Sequence, residues 1–171
     1  MESMQDDMKE FRMQLRSGSI RKAYRGLLDY IMDLRQPFLR KYPNYSVSGL
    51  YQGCMDMTFF ALVPPLLKRR GLKVAIVFNY DAFRFEAWLA GRNRQVQREY
   101  WELFKDTRWG EYRVVTPAVG VDSIVECDLA ESSDFRDPNT LTSTIEMKAA
   151  KFTDDMERYL SRQDRKSSGG A

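Results

Sequence analysis

Apolar positions along this chain switch between two spacings, and each switch marks a new element. Met4, Met8, Phe11 and Leu15 recur at i, i+4, i+7 and i+11, one face of a short helix over Ser3 to Leu15. Ser17-Gly18-Ser19 interrupts it and supplies the next N-cap. Steps of three and four through Ile20, Ala23, Tyr24, Leu27, Ile31, Leu34 and Phe38 predict a helix over Ile20 to Lys41, with Pro37 expected to kink or end it. From Val47 to Val63 the period changes to two, Ser48-Gly49 giving a turn signal before the run from Leu50. Met55, Met57, Phe59 and Ala61 alternate with Asp56, Thr58, Phe60 and Leu62, which predicts one strand with Asp56 and Thr58 on its wetter side.

The centre of the pattern is Lys73 to Ala90. Val74 to Phe78 is apolar on both faces, Asn79-Tyr80-Asp81 is a turn, and Phe83, Phe85, Ala87 and Leu89 then oppose Arg84, Glu86 and Trp88. This predicts a hairpin with an apolar floor and a mixed Arg-Glu-Trp face. After Gly91, Asn93 caps a helix running to Asp106. Two strands follow, Tyr112 to Val115 and Val121 to Leu129, the second with Glu126 on its polar side. A polar loop over Glu131 to Pro138 leads to a last helix capped by Asn139, and a disordered polar tail is expected over 163–171. The expectation is one α+β domain over 1–162. It has a mainly antiparallel sheet of about five strands built on the central hairpin, helices on one face, two N-terminal helices and one C-terminal helix.

Composition narrows the chemistry. Among 171 residues, 43% are apolar and 13% aromatic, enough for a packed core. Lys and Arg number 27 against 24 Asp and Glu, a net charge of +3 that demands neither nucleic acid nor an anionic membrane. The chain has no histidine, which removes Ser-His-Asp and Cys-His catalysis and His-based zinc sites. Cys54 and Cys127 lack CxxC spacing; both read as buried reduced thiols inside strands, with a disulfide as the alternative. Neither GxxxxGK[ST] nor GxGxxG occurs. The acidic N-terminus lacks the basic and apolar regions of a signal peptide, no apolar run has membrane-span length, and a cytoplasmic location is expected.

Asp56, Arg84, Glu86, Trp88 and Glu126 fall on polar faces of neighbouring strands. If those faces coincide, carboxylates, an Arg fork and a stacking wall converge on a ligand; the competing reading is a solvated face laced by cross-strand ion pairs. Tyr51, with Tyr42 and Tyr45, crowds the loop before the first strand and could line a pocket mouth with Trp88, or plug the core instead. A nuclease arrangement would need an acidic residue followed by Glu-x-Lys on a strand; Glu86-Ala87-Trp88 lacks the Lys, and Glu146-Met147-Lys148 lies in a helix. Arg92, Arg94 and Arg98 flank the start of a helix, where the dipole favours anions. The Met4/Met8/Phe11 stripe packs on the next helix or serves a weak dimer.

The helix QLRSGSIRKAYRGLLDYIMDLR, with YPNYSVSGLYQGCMDMTFFAL (Tyr42 to Leu62) and FRFEAWLAGRNRQVQREYW (Phe83 to Trp101), resembles a family of small bacterial cytosolic proteins that carries a domain-of-unknown-function label. The resemblance covers about residues 8–160 and implies no activity, cofactor or catalytic residue. In layout alone, strand, Gly-x-Asn, amphipathic helix and two strands is also similar to a domain found beside restriction-endonuclease-like proteins. The expectation is a non-enzymatic cytosolic binding module that recognises a small ligand or a protein partner through its polar sheet face. No metal, cofactor or nucleic-acid site is assigned. The alternative is a divergent metal-dependent nuclease or nucleic-acid-binding domain.

Overall fold

The computed structural model describes residues 3–130 and 133–169. Its contacts divide into two compact units, one up to Leu34 and one from Arg35 onward. In the first, α1 (Met4–Arg16) starts at Ser3, whose Oγ accepts from the Asp6 N–H at 3.3 Å. It buries none of its residues, and Met4, Met8 and Phe11 are exposed. Ile31 and Leu34 of α2 (Ser19–Lys41) are buried. Pro37 does not end α2. Only the last turn follows it, so the ring removes a single intrahelical bond, and Pro37 and Phe38 are buried.

The second unit holds the sheet. Its elements are β1 (Ser46–Val47), β2 (Tyr51–Gln52), β3 (Met57–Val63), α3 (Pro65–Arg69), β4 (Leu72–Asn79), β5 (Arg84–Gly91), α4 (Arg94–Phe104), β6 (Arg113–Val114), β7 (Ser123–Asp128) and α5 (Pro138–Ser168). The seven strands run β1-β3-β4-β5-β7-β6, with β2 also on β3, and all these pairings are antiparallel. The count exceeds the expected five because residues 46–63 make three strands: β1 and β2 both return along one edge of β3.

Asp56 makes the break between β2 and β3. Its Oδ1 accepts from the N–H groups of Cys54 and Met57, both at 2.8 Å, so it closes a turn and does not lie in a strand. Cys54 sits in the same turn and is exposed, whereas Cys127 is buried in β7; both are free thiols. Thr58, expected on the wetter side, is 1% exposed on the core face. Its hydroxyl meets that of Tyr80 at 2.9 Å, which supplies the partner a buried hydroxyl requires.

The hairpin keeps the expected phase. Phe85, Ala87 and Leu89 are fully buried, with Phe60, Leu62, Ile76 and Phe78 on the same face. Phe38 of α2 lies on Phe60 at 5.8 Å, and α5 adds Leu141, Ile145, Phe152, Met156 and Leu160 to the core. Phe83, expected with the inward set, precedes the strand at φ +51° and is exposed. Asn79 Oδ1, bonded to the N–H groups of Asp81 and Ala82, shapes that turn.

Asp137, not Asn139, caps α5: it accepts from the Thr140 N–H at 3.1 Å, and Pro138 takes the first helical position. The helix continues through Ser168, over most of the expected tail, because no Gly or Pro interrupts it before its C-cap Gly169. Gly170 and Ala171 of that tail, and Glu131 and Ser132 of the expected polar loop, lie outside the described residues.

Candidate functional site

Strand register determines which side chains share the open face. One row crosses the sheet as Phe59, Val77, Glu86 and Asp128; the next as Ala61, Ala75, Trp88, Glu126 and Arg113; beyond it Lys73 faces Ala90. Large and charged side chains in these rows are separated by small ones, so the face has a filled end and a hollow end.

The filled end is an ion network. Glu86 is 2% exposed, and its Oε1 accepts from Arg84 Nε at 2.8 Å. Its Oε2 accepts from Trp88 Nε1 at 2.7 Å and from Asn79 Nδ2 at 3.4 Å. Arg84 also reaches Asp128 at 3.1 Å, and Arg113 bridges Asp128 at 2.9 Å and Glu126 at 3.3 Å. Ser123 Oγ donates to Glu126 at 2.6 Å. The hydrogen bond from Arg113 to Asp128 raises the guanidinium pKa still further. A carboxylate as buried as Glu86 is tolerable only with several donors, and here it has three. Glu86, Glu126 and Asp128 are each taken up by cations of the chain itself, which leaves them committed to the fold. Among the described residues, no group of three or more His, Cys, Asp or Glu could hold a metal.

The hollow end is a cleft of about 270 Å³. Ala75 and Ala90 form its floor, Trp88 on β5 and Phe59 on β3 its walls, and Lys73 and Arg92 bring charge to it. The floor exists because two alanines stand where larger residues would fill the space; both are 4% exposed. Trp88 joins the two ends, since its ring lines the cleft while its N–H is held by Glu86. Lys73 Nζ lies 5.2 Å from the centre of the Phe59 ring.

Two glycines let α4 close the cleft. A Cβ on Gly91 would lie 2.8 Å from the Gln97 nitrogen, so only glycine lets the first helical turn fold back on the strand end. Gly71, at φ +68°, accepts from the Arg92 N–H at 2.8 Å, and the Arg92 side chain crosses its bare Cα. Asn93 caps α4 by accepting from the Val96 N–H at 2.9 Å, and the first turn carries no acidic residue. Arg94 is used structurally: it pairs with Asp122 at 3.3 Å and donates to Gln97 Oε1 and the Val121 carbonyl. Lys73 and Arg92 make no ion pair among the described residues.

Of the residues singled out by sequence, Arg84, Glu86, Trp88 and Glu126 come together. Asp56 does not join them, being held in the turn before β3. Tyr51, 55% exposed on β2, packs in a tilted pair at 4.9 Å against Phe59, a wall of the cleft. Tyr42 and Tyr45 stack on each other at 5.1 Å and line a groove with Lys151 and Asp154 of α5, away from Trp88. Burial pushes the Tyr45 hydroxyl up to about 12. Glu146 of α5 pairs with Lys41 at 2.9 Å. The residues missed were Lys73 and the alanine floor. Their signal was Lys-x-Ala on β4 opposite Trp-x-Ala on β5, legible only once the register is known.

The fold and this face define a class: an antiparallel α+β domain with helices on one side of the sheet and a small charged cleft on the other. The chain belongs to the family of the domain of unknown function DUF7000, whose model matches residues 4–160. No curated protein and no solved structure matches it. Among the described residues, no helix is long and apolar enough to cross a membrane.

Proposed function

We propose that this domain is a binding module for a small anionic molecule with an apolar portion, taken up in the cleft between Trp88 and Phe59. The observation that carries the reading is the pairing of an aromatic-walled hollow with two cations, Lys73 and Arg92, that make no ion pair among the described residues, the cleft's one carboxylate, Asp122, being taken up by Arg94. Concave sites with apolar walls and a few convergent polar groups are where small ligands bind. The network under Trp88 supports the reading, because a wall fixed by a buried carboxylate loses little rotamer freedom on binding. The same network argues against the metal-dependent nuclease alternative, since its carboxylates are already matched by Arg84 and Arg113.

A fragment library screened by two-dimensional NMR tests the proposal. Acidic aromatic fragments are expected to shift the Trp88 indole N–H and the amides of Gly91 to Gln97, and the Lys73→Met/Arg92→Met double variant is expected to abolish those shifts. Fragments that bind elsewhere, or that ignore the double substitution, would refute it.

A further inference from the structure

Resting on the cleft reading above, we infer that the anionic group the site takes is a dianion, a phosphate monoester whose apolar or aromatic remainder stacks on Trp88. Lys73 faces Ala90 across the β4–β5 ladder, and Arg92 follows the end of β5, where its N–H donates to the Gly71 carbonyl at 2.8 Å. Both side chains line the cleft. Like charges on one cleft repel. At the other end of the sheet every charge meets its opposite, whereas here the one carboxylate of the lining, Asp122, is paired with Arg94 at 3.3 Å, and Lys73 and Arg92 keep their charge beside apolar walls.

The start of α4 adds to the same field. Asn93 takes up the Val96 and Gln97 N–H groups, which leaves those of Arg94 and Gln95 outside the helix's own bonding, and the first turn lacks the acidic residue that commonly offsets the dipole. Asn93 and Arg94 line the cleft, so this positive end opens onto it. A monoanion neutralises one of the two cations and leaves the other uncompensated. A phosphate monoester carries nearly two charges at neutral pH, on three oxygens spread tetrahedrally, enough to meet Lys73, Arg92 and the helix start at once. The remainder of the ligand then lies along the Ala75/Ala90 floor against Trp88, with Phe59 as the opposite wall.

The test compares phenyl phosphate with phenyl sulfate, which matches it in shape but carries one charge. Binding is followed through Trp88 indole N–H shifts on the full chain. Phenyl phosphate is expected to bind at least about tenfold more tightly at pH 7.5, a hydrogen-bonded ion pair's worth of difference. That advantage should vanish as pH falls through about 6, where the phosphate loses its second charge. Inorganic phosphate should bind about tenfold more weakly than phenyl phosphate, for want of the ring. Lys73→Met and Arg92→Met should each remove the preference for phosphate over sulfate while the protein stays folded by circular dichroism. Equal affinity for the two esters, or a preference unaffected by pH, overturns the dianion inference and leaves the cleft reading standing. If neither ester nor any acidic fragment moves the Trp88 signal, the cleft reading itself is refuted.

Discussion

The two ends of the open sheet face are built from the same kinds of residue and differ in whether their charges are matched. At one end Arg84, Arg113, Glu86, Glu126 and Asp128 pair along and across β5, β6 and β7. At the other, Lys73 and Arg92 border an aromatic-walled hollow and make no ion pair among the described residues, its one carboxylate, Asp122, being held by Arg94. A polar row whose members satisfy one another is framework, because moving any member strands another. Cations left uncompensated beside a concavity are available to something outside the chain. Trp88 belongs to both ends and transmits the rigidity of the first to the second.

The largest break in this contrast is Glu86→Ala. It leaves the Trp88 N–H and the Arg84 guanidinium without their buried acceptor, and should cost about 3 kcal/mol in urea unfolding, the low end for a buried pair because Arg84 is partly exposed. A loss below about 0.5 kcal/mol, the scale of an ordinary surface change, would place Glu86 among solvated charges. Next is Gly91→Ala, where the new methyl meets the Gln97 nitrogen at 2.8 Å. Overpacking of this kind should cost about 1–3 kcal/mol and shift the amide resonances of the first α4 turn. An unchanged NMR spectrum would show that α4 does not close on the strand end.

A milder probe uses the thiols. Burial pushes the Cys127 thiol up to about 11, while Cys54 is exposed in its turn. Iodoacetamide at pH 8 should therefore label Cys54 alone, as peptide mass mapping would show, and Glu86→Ala should speed labelling of Cys127 by loosening β5 against β7. Above about pH 8.5 the unfolded thiol ionises while the folded one keeps its proton, so this group makes stability fall as pH rises from there toward 11. Cys127→Ser should flatten that part of the profile. The smallest expected effect is the most telling: Lys73→Met/Arg92→Met should change stability by less than about 0.5 kcal/mol, since it removes no partner from any charge. A loss comparable to that of Glu86→Ala would mean that these cations belong to the framework.

How much was legible in advance follows from the range of the forces. The helices and the central hairpin were readable because a period of 3.6 or 2 is a local property, as the burial of Phe85, Ala87 and Leu89 illustrates. Caps fared unevenly. Asn93 acts as read, whereas Asp137 displaced Asn139 because Pro138 suits the first helical position. The segment from Ser46 to Val63 misled because alternation continues through Asp56, and only hydrogen bonds to Cys54 and Met57 reveal a turn. Thr58 misled for a related reason: a hydroxyl counts as polar in a pattern, but the Tyr80 hydroxyl satisfies it in the core.

The sequence by itself determined the α+β class, the inward and outward phase of the hairpin, and the absence of every chemistry that needs histidine. Tertiary structure alone decided that Glu86 is buried and matched, that Asp56 stands apart, and that Lys73, Arg92, Trp88 and two alanines surround one hollow. Periodicity reports which way a side chain faces. Which charges meet their opposites depends on strand register, and register is established only when distant segments pair.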